Sequence, residues 1–172
     1  MIIAGLLTRI ESCIPALRRY AYALLGSRQD ADDLVQDCLV RALSKLHTYR
    51  NEADIRAWLF TIMHNLFVSH VGRIRARPAC EPLDQTHESA MSICPGQEDG
   101  LQRRALIQAL LRGLKRLPAE QRSIVLLVSI EDLSYAEVAS VLGVPIGTVM
   151  SRLSRGRARL RDMIDARPPA SR

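Results

Sequence analysis

Apolar residues recur at intervals of three and four along almost the whole chain, without strand-like alternation, so the pattern predicts helices throughout. A first helix is expected from about Leu6 to Leu25, with Ile10, Ile14, Leu17, Ala21 and Leu24 on one face and Pro15 as a candidate kink. Gly26 and Ser27 should stop it. A second is expected from Asp30 to Leu46, with Leu34, Cys38 and Ala42 on one stripe and Val35, Leu39 and Leu43 on the next. Asp30, Asp32 and Asp33 would then occupy its first turn, where carboxylates suit the helix dipole. A third runs from Asp54 to about Arg75, turning Ile55, Trp58, Leu59, Ile62, Leu66 and Val71 inward.

The pattern then lapses. Residues 77–99 contain Pro78, Pro82 and Pro95 and show no sustained period, which marks a flexible linker. Helices resume from Leu101 to Leu117 and from Ala119 to about Ile130. Ser134 with Glu137 three residues later has capping-box spacing, and Gly143 suits a positive-φ helix stop. A last helix begins near Gly147 or Thr148 and runs to about Ile164, after which the tail should fray. The expected fold is all-α: one small helical domain over 1–77, the linker over 78–100, a second domain over 101–166 and a disordered tail over 167–172.

Ser134 to Arg161 has the layout of a helix-turn-helix, with Val138, Ala139 and Leu142 inward on the first helix and Val149, Leu153 and Leu160 on the second. Thr148 and Ser151 are short polar groups able to approach base edges, and Arg152, Arg155 and Arg159 follow at helical spacing beside Arg157 and Arg161. Guanidinium groups at that density suit phosphate.

Charge sharpens this picture. The chain carries +6 overall, distributed as +4 over residues 1–78, −5 over 79–100 and +7 over 101–172. Two basic modules and an acidic strip suggest that the modules face a polyanion and the strip does not. Apolar residues make up 48%, as in an ordinary globular chain. Neither a membrane span nor a signal peptide is expected, which places the protein in the cytoplasm. Cys13, Cys38, Cys80 and Cys94 lack metal or redox spacing and the four histidines are scattered, so no metal site and no cofactor are expected. Without a phosphate loop, a nucleophile with its base or paired catalytic carboxylates, an enzyme is not expected.

The run from Leu133 to Leu160, entered through Leu117 to Arg122, resembles region 4 of the sigma-70 family, and more narrowly its extracytoplasmic-function (ECF) group. The resemblance implies that the last helix binds the promoter −35 element through Thr148, Met150, Ser151, Arg152, Ser154 and Arg155 and that the domain meets the β flap of core RNA polymerase. Met150 stands where the family usually places Lys or Arg, and Gly156 where Ala is usual, a change that costs helix stability up to about 1 kcal/mol.

The run from Asp30 to Leu43 is similar to region 2.2 of the same family. Asp33, Gln36 and Asp37 lie opposite the Leu34 and Cys38 stripe, an acidic face that the resemblance assigns to the β′ clamp helices. Ala57 to Asn65 resembles regions 2.3 and 2.4, which open the −10 element. Melting requires a cationic surface and pockets for unstacked bases. Arg56, Arg73, Arg75 and Arg77 supply charge, while Tyr49 and Asn65 match family residues near the flipped base. Trp58 reads as core, and Phe60 and His64 are left unassigned. Ser69 to Arg73 departs from the family's aspartate and paired arginines, leaving fewer charges beside that surface.

The resemblance spans about 8–77 and 101–164 and implies promoter DNA, core polymerase and an anti-sigma factor as partners, with no small-molecule substrate. The linker either enters the polymerase's RNA-exit path or serves as a tether. Two competing readings are a stand-alone helix-turn-helix regulator that needs no polymerase and a decoy that sequesters an anti-sigma factor.

Overall fold

The computed structural model describes residues 2–49, 54–76 and 99–165, with side chains placed over 5–49, 54–72 and 104–164 apart from Ala105. Among these residues all regular structure is helical. Helices α1 (Ile2–Leu25), α2 (Arg28–Ser44) and α3 (Ile55–Ala76) form the first module, and α4 (Asp99–Arg116), α5 (Ala119–Ser129), α6 (Tyr135–Leu142) and α7 (Ile146–Asp165) the second. A single 3-10 turn, Leu46–Thr48, follows α2. The predicted tail and most of the predicted linker, with Cys80, His87 and Cys94, lie outside the described residues.

α1 is continuous through Pro15 and buries Ile10, Leu17, Ala21 and Leu24 as predicted, together with Cys13 and Tyr20. Gly26 ends it at φ 73°. Ser27, predicted as part of that stop, instead caps α2 by accepting a hydrogen bond from the Asp30 amide at 3.3 Å. α2 therefore starts ahead of Asp30, and only Asp30 of the three aspartates lies in its first turn. Ala31, Leu34, Val35, Cys38 and Ala42 face inward. Leu43, expected on the inner stripe, is 51% exposed.

α3 inserts Ile55, Leu59, Phe60, Ile62, Met63 and Phe67 into the core. Each such burial is worth roughly 1.5–3 kcal/mol. Phe60, unassigned from sequence, is fully buried, and Tyr20 meets it edge-on at 5.2 Å. Trp58 is half-buried and its ring tilts against Tyr49 at 5.1 Å.

In the second module Leu114, Leu117, Ile124 to Leu127, Val138, Val141, Val149, Leu153 and Leu160 are buried. Val141 takes the inward place predicted for Leu142, which is half-buried. The capping box forms: Ser134 Oγ accepts from the Glu137 amide at 3.2 Å, and Glu137 Oε2 accepts from the Ser134 amide at 2.7 Å. Gly143 closes α6 at φ 63°, and α7 departs at 102° to it, a helix-turn-helix geometry. The modules touch along α1 with α4 and α5, and along α3 with α6. Among the described residues, no single helix is long and apolar enough to cross a membrane.

Candidate nucleic-acid and polymerase interfaces

The capping box, the left-handed Gly143 and the buried Val138 and Val149 fix α7 on its partner helices and leave one stripe outward. Gly147, Met150, Ser151, Ser154, Arg155 and Ala158 make up that stripe, all exposed at successive three- and four-residue steps. Four of the six predicted −35 residues therefore share one open surface. Arg155 folds back on it, donating from Nε to the Ser151 carbonyl at 3.2 Å.

Thr148 and Arg152 sit at the margin, half-buried. Arg152 is held by Glu120 of α5 at 2.8 Å. The remaining arginines diverge. Arg157 donates to Ser129 Oγ at 3.0 Å and Arg159 to Gln121 Oε1 at 3.2 Å, so both clamp α7 to α5. The arginine-rich sequence is thus divided between guanidiniums tied to α5 and Arg155, which stays on the open stripe. Met150, 53% exposed, gives the stripe an apolar thioether where a charge was expected.

On α2, Asp33, Gln36 and Asp37 are all exposed on one face, as their spacing implied. Sequence reasoning missed the continuation of that face. Val40 follows at the next helical step, 68% exposed, with Leu43 beside it. The face therefore combines acidic and amide groups with exposed aliphatic carbons.

On α3, Asn65 is exposed, while Tyr49, just after the 3-10 turn, is half-buried with its ring tilted against Trp58. The side chains of Arg73 and Arg75, and all of Arg77, lie outside the described residues. Arg56 is engaged: its guanidinium reaches Glu131 of the second module at 2.6 Å and lies over the Phe60 ring at 5.8 Å. His64 Nδ1 is buried without a hydrogen-bond partner, and burial lowers the imidazole pKa. Cys13 and Cys38 are buried and unpaired, and burial pushes the Cys38 thiol up to about 12. Among the described residues no three His, Cys, Asp or Glu side chains converge as metal ligands would.

Such a molecule is a helical two-module protein with a helix-turn-helix whose last helix presents an open stripe, and with a separate exposed acidic face on α2. Residues 10–64 match the family model described as the Sigma2 domain of PhyR, and residues 107–160 match Sigma-70, region 4. The chain is 34% identical over 151 residues to the ECF RNA polymerase sigma factor EcfG of Rhodopseudomonas palustris, covering 88% of this chain and 80% of that one. It is 35% identical over 147 residues to the ECF RNA polymerase sigma factor SigM of Mycobacterium tuberculosis, covering 84% and 69%. Among solved structures it resembles the sigma factor RpoE of Bartonella quintana in complex with the anti-sigma factor NepR, with a TM-score of 0.76, 31% identity and coverage of 95% and 99%. It also resembles CnrH in complex with the cytosolic domain of CnrY, with a TM-score of 0.67, 26% identity and coverage of 95% and 88%. The chain belongs to the ECF group of RNA polymerase sigma factors, which direct transcription initiation at promoters.

Proposed function

We propose that α7 reads the −35 element through Met150, Ser151, Ser154 and Arg155, with Thr148 and Arg152 at its margin. The stripe they form, presented by the Ser134 and Gly143 turn, is the observation that carries this reading. α3 with Tyr49, Asn65, Arg73 and Arg75 opens the −10 element, and the Asp33, Gln36, Asp37 and Val40 face docks on the polymerase clamp. The β flap receives the second module. Bond making belongs to the polymerase, and the chain itself performs no catalysis. The similar sigma factor RpoE is bound to the anti-sigma factor NepR, which supports control of this chain by such a partner.

Run-off transcription with core polymerase on a genomic promoter library tests the assignment. Start sites sharing two upstream elements are expected. Absence of initiation on every promoter overturns it. A second reading is sequestration of an anti-sigma factor. That reading predicts inhibitor binding with no transcript at any promoter.

A further inference from the structure

Glu131 follows α5 with its side chain fully buried, and its carboxylate is gripped from the other module. Arg19 of α1 donates from Nε to one oxygen at 3.3 Å and from Nη2 to the other at 3.0 Å. Arg56 of α3 donates to that second oxygen at 2.6 Å. A further strap runs the same way: Arg122 of α5 donates to the Leu24 carbonyl at the end of α1 and to the Lys115 carbonyl.

A buried carboxylate is costly unless paired, and these pairs exist only while the modules touch. When the modules part, water reaches all three charged groups, so the open form strands no charge. Ion pairs of this kind contribute geometry more than strength. That suits a contact made to be broken.

The functional reading above, on which this inference rests, requires that it break. Its two promoter elements lie roughly 25 base pairs apart, or about 85 Å at 3.4 Å per pair. A folded chain of 172 residues has a radius of gyration of about 16 Å and is about 40 Å across. The closed molecule cannot reach both elements. With the modules apart, the connection 77–98 has the length to let them do so, since 22 residues span at most about 75 Å.

We propose that the closed arrangement is a self-inhibited resting state latched by Glu131, which polymerase and promoter must displace from Arg19 and Arg56. The latch also occupies Arg56, a cation at the start of the helix that faces the melted strand.

The test uses the full chain, Glu131→Gln, which keeps shape and removes charge, and Arg19→Met, which lies outside every proposed contact surface. Circular dichroism and a cooperative thermal transition establish that each variant folds, and if one does not, the other carries the test. Small-angle scattering should give the wild type a radius near 16 Å and each variant one larger by roughly a quarter or more. Titration with core polymerase should show each variant binding on the order of tenfold more tightly, since the competent form no longer competes with the closed one. Variants that stay compact, or that expand without tighter binding, overturn the proposal. If no form binds polymerase, the functional reading fails and self-inhibition with it, while the scattering still reports whether Glu131 holds the modules together.

Discussion

Gly156 of α7 lies so close to Val125 of α5 that a β-carbon on the glycine would stand 2.9 Å from Val125 Cγ2 and 3.5 Å from Gln121 Cβ. Sequence alone suggested only a penalty there, because glycine weakens a helix interior by up to about 1 kcal/mol relative to alanine. The structure shows what the missing β-carbon permits. α7 seats deeply enough on α5 for Arg157 and Arg159 to reach Ser129 and Gln121.

Gly156→Ala should therefore destabilise the protein, not stabilise it. Overpacking against a stiff β-branched neighbour costs roughly 1–3 kcal/mol, which outweighs the helix-propensity gain of about 1 kcal/mol. Urea denaturation of the full chain measures the difference. In a Val125→Ala background the sign should reverse, because the obstructing methyl is gone. A stabilised single variant would show that α5 yields freely at this point.

The α6 capping box predicts a pH dependence of known sign. The Ser134 side chain, followed by its amide, donates to Glu137 and holds that carboxyl below its ordinary value. A carboxyl with a depressed folded pKa contributes stability that is present above its unfolded value of 4.5 and is lost as pH falls through the folded one. Wild-type stability should fall more steeply between pH 5 and about 3 than that of Glu137→Gln, measured by thermal melting. Ser134→Ala should cost about 1 kcal/mol at neutral pH. Equal slopes for wild type and Glu137→Gln would contradict the cap's role.

His64 acts in the same sense, but in a higher pH window. Burial lowers its pKa below 6.5, so the unfolded chain binds the proton first on acidification. Stability should decline as pH drops through 6.5 and level off below the folded pKa. His64→Gln should flatten the profile across that window, read by urea titration at pH 7.5 and about 5.5.

These features differ in how far the sequence exposes them. The Ser134, Glu137 and Gly143 turn was legible because its parts lie within ten residues and act on each other locally. The exposed face of α2 was legible in its polar part, since Asp33, Gln36 and Asp37 follow one helical period. Its apolar part was not, because periodicity cannot tell whether Leu43 or Val40 meets a neighbour. Glu131 was invisible for a stronger reason. Its arginine partners lie 112 and 75 positions away, and nothing local distinguishes it from the exposed Asp132 beside it. The arginine-rich α7 looked uniform for the same cause, since α5 decides which guanidiniums are tied to a neighbouring helix.

That sorting of arginines gives the DNA prediction. Arg155→Ala should weaken binding to −35 duplex and lower the slope of log affinity against log salt by about 1, as loss of one phosphate contact requires. Arg157→Ala should leave the slope unchanged and act on stability alone. Glu120→Gln releases Arg152 from its 2.8 Å pair and should strengthen DNA binding. Fluorescence anisotropy from about 50 to 200 mM salt distinguishes the three. Equal slopes for the two arginine variants would refute the division.

The face proposed for polymerase docking admits the sharpest separation of binding from folding. Val40 is exposed and touches no core, so Val40→Asp should leave thermal stability within about 0.5 kcal/mol. If the face docks on a basic helix pair through its aliphatic carbons, the same change buries a carboxylate against them and should weaken core binding by at least tenfold. Asp37→Arg should weaken it further by setting like charges together, and both variants should keep their affinity for isolated −35 duplex, since α7 is untouched. Binding to core polymerase by surface plasmon resonance, beside duplex binding by anisotropy, measures the two separately. Undiminished polymerase binding by both variants would move the docking surface off α2.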